Sequence, residues 1–408
     1  MREMKDSGVE WIGEIPASWQ LLTVGSLFRV RNEKVNDTDY PPLSVTKGGI
    51  VPQMENVAKS DANDNRKMVL KHDFVINSRS DRKQSCGVSP MDGSVSLINI
   101  VLYPVKGAPV IPEYLNYLLK NYGFAEEFYR WGHGIVADLW TTRWQEMKNI
   151  LLPVPMIEEQ QWNLGAISAQ TKNVDTLIAN VQAQIDKLND YRVSVISSFT
   201  NDTNFQHLKL KRVINNVEQG WSPSPAEPKD DGGWQVLTLA AVKFGRFNFE
   251  NTKPFEGNIE RCKPLSINVG DFLLTRSNTK ELVGQVCIVN HPVQNTIFSD
   301  LIYRLDLNTK YVTPEFMLYY FQSTQMRQQI QRDAHGSSST MVKITHKDID
   351  NWEIDLPDMD KQIKIAEQLN DITRKIDDLI SIKQAKIEKL EQYKRSLIYE
   401  YVTGKKEA

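Results

Sequence analysis

The chain has 408 residues, 40% apolar and 25% charged, with a net charge of −2, which is ordinary for a globular protein long enough to hold two or more domains. Residues 1–155 carry 18 basic and 18 acidic side chains and residues 205–357 carry 17 of each, which excludes a uniformly basic nucleic-acid coat. Any phosphate contact must come from cations gathered on one face or from another subunit.

No apolar stretch reaches the ~18 residues of a membrane span. The opening MREMKDSGVEW has no apolar run of a secretory signal, and Cys86, Cys262 and Cys287 form no CxxC pair. These features point to a reducing cytoplasm. In chain order, Phe74-Val75-Ile76 and the run Val95 to Tyr103 are β-branched or aromatic and bounded by turn residues, the signal of strands. Pro112 to Lys120 starts on proline and spaces its apolar residues helically. Ile167, Val174, Val181, Leu188 and Val195 then recur every seven residues, with Leu177 and Tyr191 at the following d positions and Ile178 and Ile185 beside them. This is the apolar seam of a long paired helix.

The turn-rich stretch from Gln219-Gly220-Trp221-Ser222 to Asp231-Gly232-Gly233 predicts a long exposed loop. Further strands are predicted at Phe272-Leu273-Leu274, Val283 to Val289 and Ile297 to Leu307, and a helix at Pro314 to Gln322. A second seam has Leu369, Ile376, Leu390 and Leu397 at a, and Ile365, Ile372, Leu379 and Tyr393 at d. Each long helix follows a Leu-Pro, and about 40 residues at ~1.5 Å each make a rod of roughly 60 Å. Polar Gln184, Lys383 and Lys386 interrupt the seams, as register-setting or partly solvated positions.

The chain is written twice. IDKLNDYRVSVI at 185–196 returns as IEKLEQYKRSLI at 387–398, an offset of 202. At the same offset Pro112-Glu113-Tyr114-Leu115 matches Pro314-Glu315-Phe316-Met317, and His133-Gly134 matches His335-Gly336. With small shifts, Asp73-Phe74-Val75 pairs with Asp271-Phe272-Leu273, Arg79-Ser80 with Arg276-Ser277, and Leu152-Pro153 with Leu356-Pro357. Two such repeats are too few for a solenoid. The predicted architecture is α+β: globular segments 1–155 and 204–357 alternate with helical segments 156–203 and 358–408. The helices pair antiparallel under a pseudo-two-fold repeat, with one globular unit at each end. A single chain can then meet duplex DNA as a protein dimer does.

Catalytic signatures are missing from the sequence. There is no G-x-x-x-x-G-K-[ST]; Gly132-His133-Gly134-Ile135-Val136-Ala137 fits G-x-G-x-x-A but follows a helical run, Glu126 to Trp131, rather than a strand. Glu146-Met147-Lys148 lacks the upstream Pro-Asp of a nuclease motif and reads as a helix surface. The six histidines have no zinc-ligand spacing, and Ser337 to Ser339 lie in no nucleophile elbow.

Lys5-Asp6-Ser7-Gly8-Val9-Glu10-Trp11-Ile12-Gly13-Glu14-Ile15-Pro16 resembles the N-terminal signature of specificity subunits of type I restriction-modification systems. Arg395-Ser396-Leu397-Ile398 through Val402-Thr403-Gly404-Lys405 resembles their C-terminal signature, and Leu356-Pro357 with Gln362, Ile365-Ala366 and Leu369 the start of their helical regions. The first helix departs from this pattern, with Trp162-Asn163-Leu164-Gly165 where the second has Lys364-Ile365-Ala366-Glu367. The resemblance spans essentially the whole chain. It implies a non-catalytic subunit with two target-recognition domains, each reading half of a bipartite double-stranded DNA site. The helices would set the spacer and dock two methyltransferase subunits, through which motor-nuclease subunits join. S-adenosylmethionine, ATP and Mg would belong to those partners, with no cofactor on this chain. Two alternatives stay open: a recognition subunit of a related system with fused cleavage and methylation, and a helical scaffold that never meets DNA.

Candidate DNA-binding residues follow from chemistry, since Arg reads guanine, Asn reads adenine and Lys positions on phosphate. Residues 66–83 hold Arg66, Lys67, Lys71, Arg79, Arg82 and Lys83 against Asp73 and Asp81. Arg79, Arg82 and Lys83 are the first unit's candidates; Arg276, Asn278 and Lys280 are the second's. The resemblance adds the loop Gly220, Trp221 and Ser222, with Trp221 equally readable as a core residue. His133, Gly134, His335, Gly336 and Ser337 are small or mobile enough to enter a groove. Val174, Leu177, Val181, Leu188, Tyr191, Ile376, Leu379, Leu390, Tyr393 and Leu397 are assigned to the helical seam.

Overall fold

The β-branched and aromatic runs form two sheets with the same strand order. The computed structural model describes residues 2–53, 65–134, 140–224, 233–243, 245–255, 259–336 and 341–408. It divides into two units, residues 1–181 with 385–408, and residues 182–384. In the first unit the strands Cys86–Val88, Phe74–Asn77, Asn99–Pro104 and Phe28–Val30 lie in that order, every neighbour antiparallel. Side chains alternate between faces along a strand. Phe74, Ile76 and Leu102 pack with Tyr114, Leu118, Phe124 and Phe128 from the helices Pro112–Leu118 and Tyr122–Arg130. Val75 and Val101 face a smaller core with Leu43, Ile50, Val69 and Val95. Covering on both faces explains why this strand is apolar without alternation.

The second unit repeats the plan with Val286–Ile288, Phe272–Thr275, Ile302–Leu307 and Ile214–Gln219. Phe272, Leu274, Tyr303 and Leu305 face the helical core, with Phe316, Tyr320, Met326 and Ile330 from the helices Pro314–Tyr320 and Thr324–Asp333. Leu273, Cys287 and Ile302 face the other core. The runs expected as single strands are each two. Val95 to Tyr103 breaks at a turn closed by Asn99 N–H to Ser96 O (3.1 Å), and Ile297 to Leu307 at one closed by Ile302 N–H to Ser299 O (3.0 Å). Both turns carry the chain from a three-stranded to the four-stranded sheet.

The long helices run Ile157–Thr200 and Met359–Val402, 44 residues each. Among the described residues no helix is apolar enough to cross a membrane. Each helix opens on a fully buried glutamine. Gln160 Nε2 donates to Pro155 O (3.0 Å) and Pro109 O (2.7 Å), while its Oε1 accepts from Ile111 N–H (2.9 Å). Gln362 Nε2 donates to Pro357 O (2.9 Å) and Tyr311 O (2.8 Å), and its Oε1 accepts from Thr313 N–H (2.9 Å). The helix start is thereby tied to the loop leading into each Pro-initiated helix. This corrects the predicted match of Leu152-Pro153 with Leu356-Pro357. Pro155 is the equivalent of Pro357, at the unshifted offset of 202, and Pro153 lies inside the strand Leu151–Val154.

Within each unit the two helix halves pair antiparallel. In the first, Lys394 Nζ lies 2.6 Å from Asp175 Oδ1; in the second, Arg192 bonds Asp377. Asp175 and Asp377 are equivalent at the repeat offset, as are Arg192 and Lys394, so one ion pair occurs twice with its partners exchanged between helices. Lys383 Nζ donates to Gln184 Oε1 (2.6 Å), so two seam-breaking polar residues satisfy each other. Val174, Val181, Ile376 and Leu397 are buried, and Leu188 and Leu390 half-buried, as the seam requires. Four of the six d assignments need correction: Leu177, Tyr191, Leu379 and Tyr393 are 49%, 56%, 47% and 52% exposed, while Ile365 is buried and Ile372 half-buried. Burial follows a and a+4 instead, through Thr171, Ile178 and Ile185 in the first helix and Thr373, Ile380, Ile387 and Tyr401 in the second. A seven-residue period fits either choice, and these helices also feed Ile167, Leu397, Ile196 and Leu369 into the globular cores, which turns the stripe that way.

Two predictions follow from these contacts. Gln362→Ala leaves one N–H and two carbonyls without partners in a buried site, and its expected cost is about 2–4 kcal/mol in denaturant unfolding; a change below measurement error would show that the strap is not structural. His207 and Asp355 are cross-strand partners with Nδ1 and Oδ1 2.9 Å apart, and this bond is the main cause of a raised imidazole pKa. Because the folded value is raised, the contribution is fully present below the unfolded pKa of ~6.5 and disappears as pH climbs through the folded value. NMR titration of His207 should give a midpoint above 6.5 that falls in Asp355→Asn; an identical midpoint in both would contradict the assignment.

Candidate nucleic-acid interface

Where the central strand of each sheet ends, the chain enters a short three-segment ladder. In the first unit Thr142 N–H donates to Ser78 O (3.1 Å), Arg79 bridges Thr141, and Thr141 and His133 exchange both backbone bonds (2.9 and 3.0 Å). In the second, Ile344 N–H donates to Arg276 O (3.0 Å), Ser277 pairs with Lys343, and Lys343 and His335 exchange both bonds (2.8 and 2.7 Å). Residues directly opposite in such ladders project from one face with Cβ atoms about 5 Å apart. Each unit therefore presents a row, Arg79–Thr141–His133 in one and Ser277–Lys343–His335 in the other.

A capped helix stands behind each row. Arg143 N–H donates to Glu146 Oε2 (3.0 Å) at the start of Trp144–Met147, and Thr345 N–H to Asp348 Oδ2 (2.7 Å) at the start of His346–Asn351. The same carboxylates lie 4.0 Å from the ring Nε2 atoms of His133 and His335, whose side chains are 75% and 72% exposed. Each row thus joins one cation to one solvent-facing imidazole, over a backbone anchored in the sheet. Such a surface can donate to phosphate or base edges without a catalytic arrangement.

The predicted residues fall into three groups. Arg79, Arg82, His133, Gly134, His335 and Gly336 are exposed on or beside the rows, and Lys280 is exposed in the loop that follows Asn278. Gly336 is needed there, because a Cβ would sit 2.7 Å from Met341 O. Ser337 lies outside the described residues. Others are already engaged. Lys83 pairs with Glu126 (2.9 Å) over the Tyr129 ring, and Asn278 Oδ1 accepts from Thr279 N–H (2.9 Å). Arg327 holds the Lys280 loop by donating to Val283 O (2.8 Å) and Glu281 O (3.0 Å), and burial lowers its pKa to about 10. Arg66 donates to Ser94 and Lys67 to Asn99 O (2.7 Å), so part of the basic stretch is spent on the fold.

One equivalence is overturned. Arg79 and Arg276 are not equivalent: hydrogen bonding aligns Ser78 with Arg276 and Arg79 with Ser277. A one-residue slip sends a side chain to the other face. Arg276 turns inward, its Nε 2.9 Å from Tyr303 Oη and its Nη1 3.3 Å from Asp300 O, while Ser277 is fully buried. Trp221 is half-buried against Phe255 (ring centroids 6.2 Å apart), packed on a cluster with Cys262 and Ile297. Its neighbours are packed closely as well. A Cβ on Gly220 would lie 2.2 Å from Phe298 O, and Ser222 Oγ bonds the carboxylate of Asp300.

Residues 203–392 match the family model described as the type I restriction modification DNA specificity domain. Along 97% of this chain and 95% of the relative, the sequence is 23% identical to the type I restriction enzyme MjaX specificity subunit of Methanocaldococcus jannaschii. It is 22% identical to the MjaVIII specificity subunit of the same organism, over 63% of this chain and 62% of that one. Along nearly its whole length the chain is thus similar to type I restriction enzyme specificity subunits. A solved chain from work on complex assembly and conformational transition of a type I R-M system superposes with a TM-score of 0.63 at 14% identity, covering 95% of this chain and 98% of that one. The two chains therefore share a fold.

Sequence reading missed Thr141 and Lys343, the central residues of the two rows. The signal was present, since both lie at the repeat offset beside the matched His-Gly pairs. Their different chemistry hid it.

Proposed function

We propose that this chain is the specificity subunit, and so the DNA-recognition component, of a cytoplasmic type I restriction-modification enzyme. Segments 1–155 and 204–357 act as target-recognition domains, and each reads one half of an asymmetric bipartite double-stranded site. The observation that carries this reading is the DNA specificity-domain match over residues 203–392, on a unit whose sheet order, helix strap and ladder row recur in the other unit. Two like devices of unlike side chains suit a site of two unlike halves.

The helical segments 156–203 and 358–408 set the unspecified spacer and dock two methyltransferase subunits. In support, Leu177 with Leu379 and Tyr191 with Tyr393 are repeat-equivalent, identical in type and about half exposed. Large apolar residues turned outward twice suit two copies of one partner. Restriction-translocase subunits join through the methyltransferases. Adenine methylation with S-adenosylmethionine, and Mg-dependent ATP hydrolysis, belong to those partners.

Replacing residues 1–155 by the corresponding segment of another specificity subunit tests the modular reading. Sequencing of methylated bases should show one half of the motif changed and the other half and spacer kept. Changes in both halves, or in neither, would overturn it.

A further inference from the structure

The two ladder rows have the same backbone but place their cation on different strands. In the first unit the cation is Arg79, on the segment leaving the central strand, opposite half-buried Thr141. In the second, the position equivalent to Arg79 is Ser277, which is buried and donates its Oγ to Val342 O (3.1 Å). The position equivalent to Thr141 is Lys343, which is exposed. Directly opposed residues stand about 5 Å apart on one face, a distance that the long side chains of Arg and Lys easily span. The charge has moved across the bridge and kept its place on the surface.

Arg276 cannot supply that charge to a ligand on this face. Its guanidinium lies over the Tyr303 ring (5.7 Å), bonded to Tyr303 Oη and Asp300 O. The same Asp300 holds Ser222, so Arg276 ties the Gly220–Ser222 loop to the sheet.

We infer that Lys343 is the DNA-contacting cation of the second unit, the counterpart of Arg79, and that Arg276 is a positioning residue. This rests on the DNA-recognition reading above. A lysine acts as a point charge on phosphate, whereas Arg79 can also read a base bidentately. Lys343 therefore adds affinity with little sequence preference, and the first unit's row adds both.

The test uses the full chain assembled with its methyltransferase partner and a duplex carrying the methylated motif, titrated at several salt concentrations. Lys343→Ala should weaken binding about eightfold near 0.1 M salt and lower the slope of log K against log salt by ~0.9, the release accompanying one phosphate contact. Lys343→Arg should restore both. Arg276→Lys should lower the thermal midpoint and leave the salt slope unchanged. In the first unit, adding Thr141→Lys to Arg79→Ser should recover affinity that Arg79→Ser alone loses. Wild-type-like affinity and slope in Lys343→Ala, with a lowered slope in Arg276→Lys, would overturn this inference while leaving DNA recognition intact. A wild-type complex that does not prefer the motif duplex over a scrambled one would overturn the recognition reading itself.

Discussion

An ion pair written twice fixes how this chain is built. Asp175 with Lys394 and Asp377 with Arg192 are the same contact under the internal repeat, each joining helix halves that run antiparallel within its unit. Their side chains are 15–55% exposed, so each pair adds little stability. Its effect is on register: a shift by one helical turn would break both pairs. The buried a and a+4 stripe supplies the stability and leaves Leu177, Tyr191, Leu379 and Tyr393 in solvent.

From that frame the two globular parts inherit identical supports. A buried glutamine at each helix start bonds the loop ahead of a Pro-initiated helix, which packs on the sheet whose central strand feeds the ladder. The ladder rows are thus held through a continuous chain of buried contacts, from helix to sheet edge. Rigid backbone with variable side chains is the arrangement expected of a recognition surface, because the row can change chemistry without changing its path. Arg79 opposite Thr141 and Ser277 opposite Lys343 are two such solutions on one backbone.

Much of this was legible from the sequence, and the failures have physical causes. The duplication, both long helices and the Pro-initiated helices stand out because apolar spacing and helix-start chemistry are local. The seam was misassigned at Leu177 and Tyr191 because a seven-residue period does not distinguish a+3 from a+4; only packing on the globular cores does. The match of Arg79 with Arg276 failed because it left the offset of 198 that Asp73 and Asp271 set, and similar letters one residue apart face opposite ways. Lys343 escaped notice because its equivalent is a threonine. Position, rather than residue type, is what the repeat preserves there.

The central claim is that one chain carries two equivalent readers of duplex DNA. Single-molecule sequencing of methylated bases in the host genome, with the gene intact and deleted, tests it most directly. The account predicts that deletion abolishes methylation at a motif of two unlike defined sequences separated by a constant unspecified gap. Methylation that persists without the gene, or a dependent motif that is one uninterrupted sequence, would contradict it.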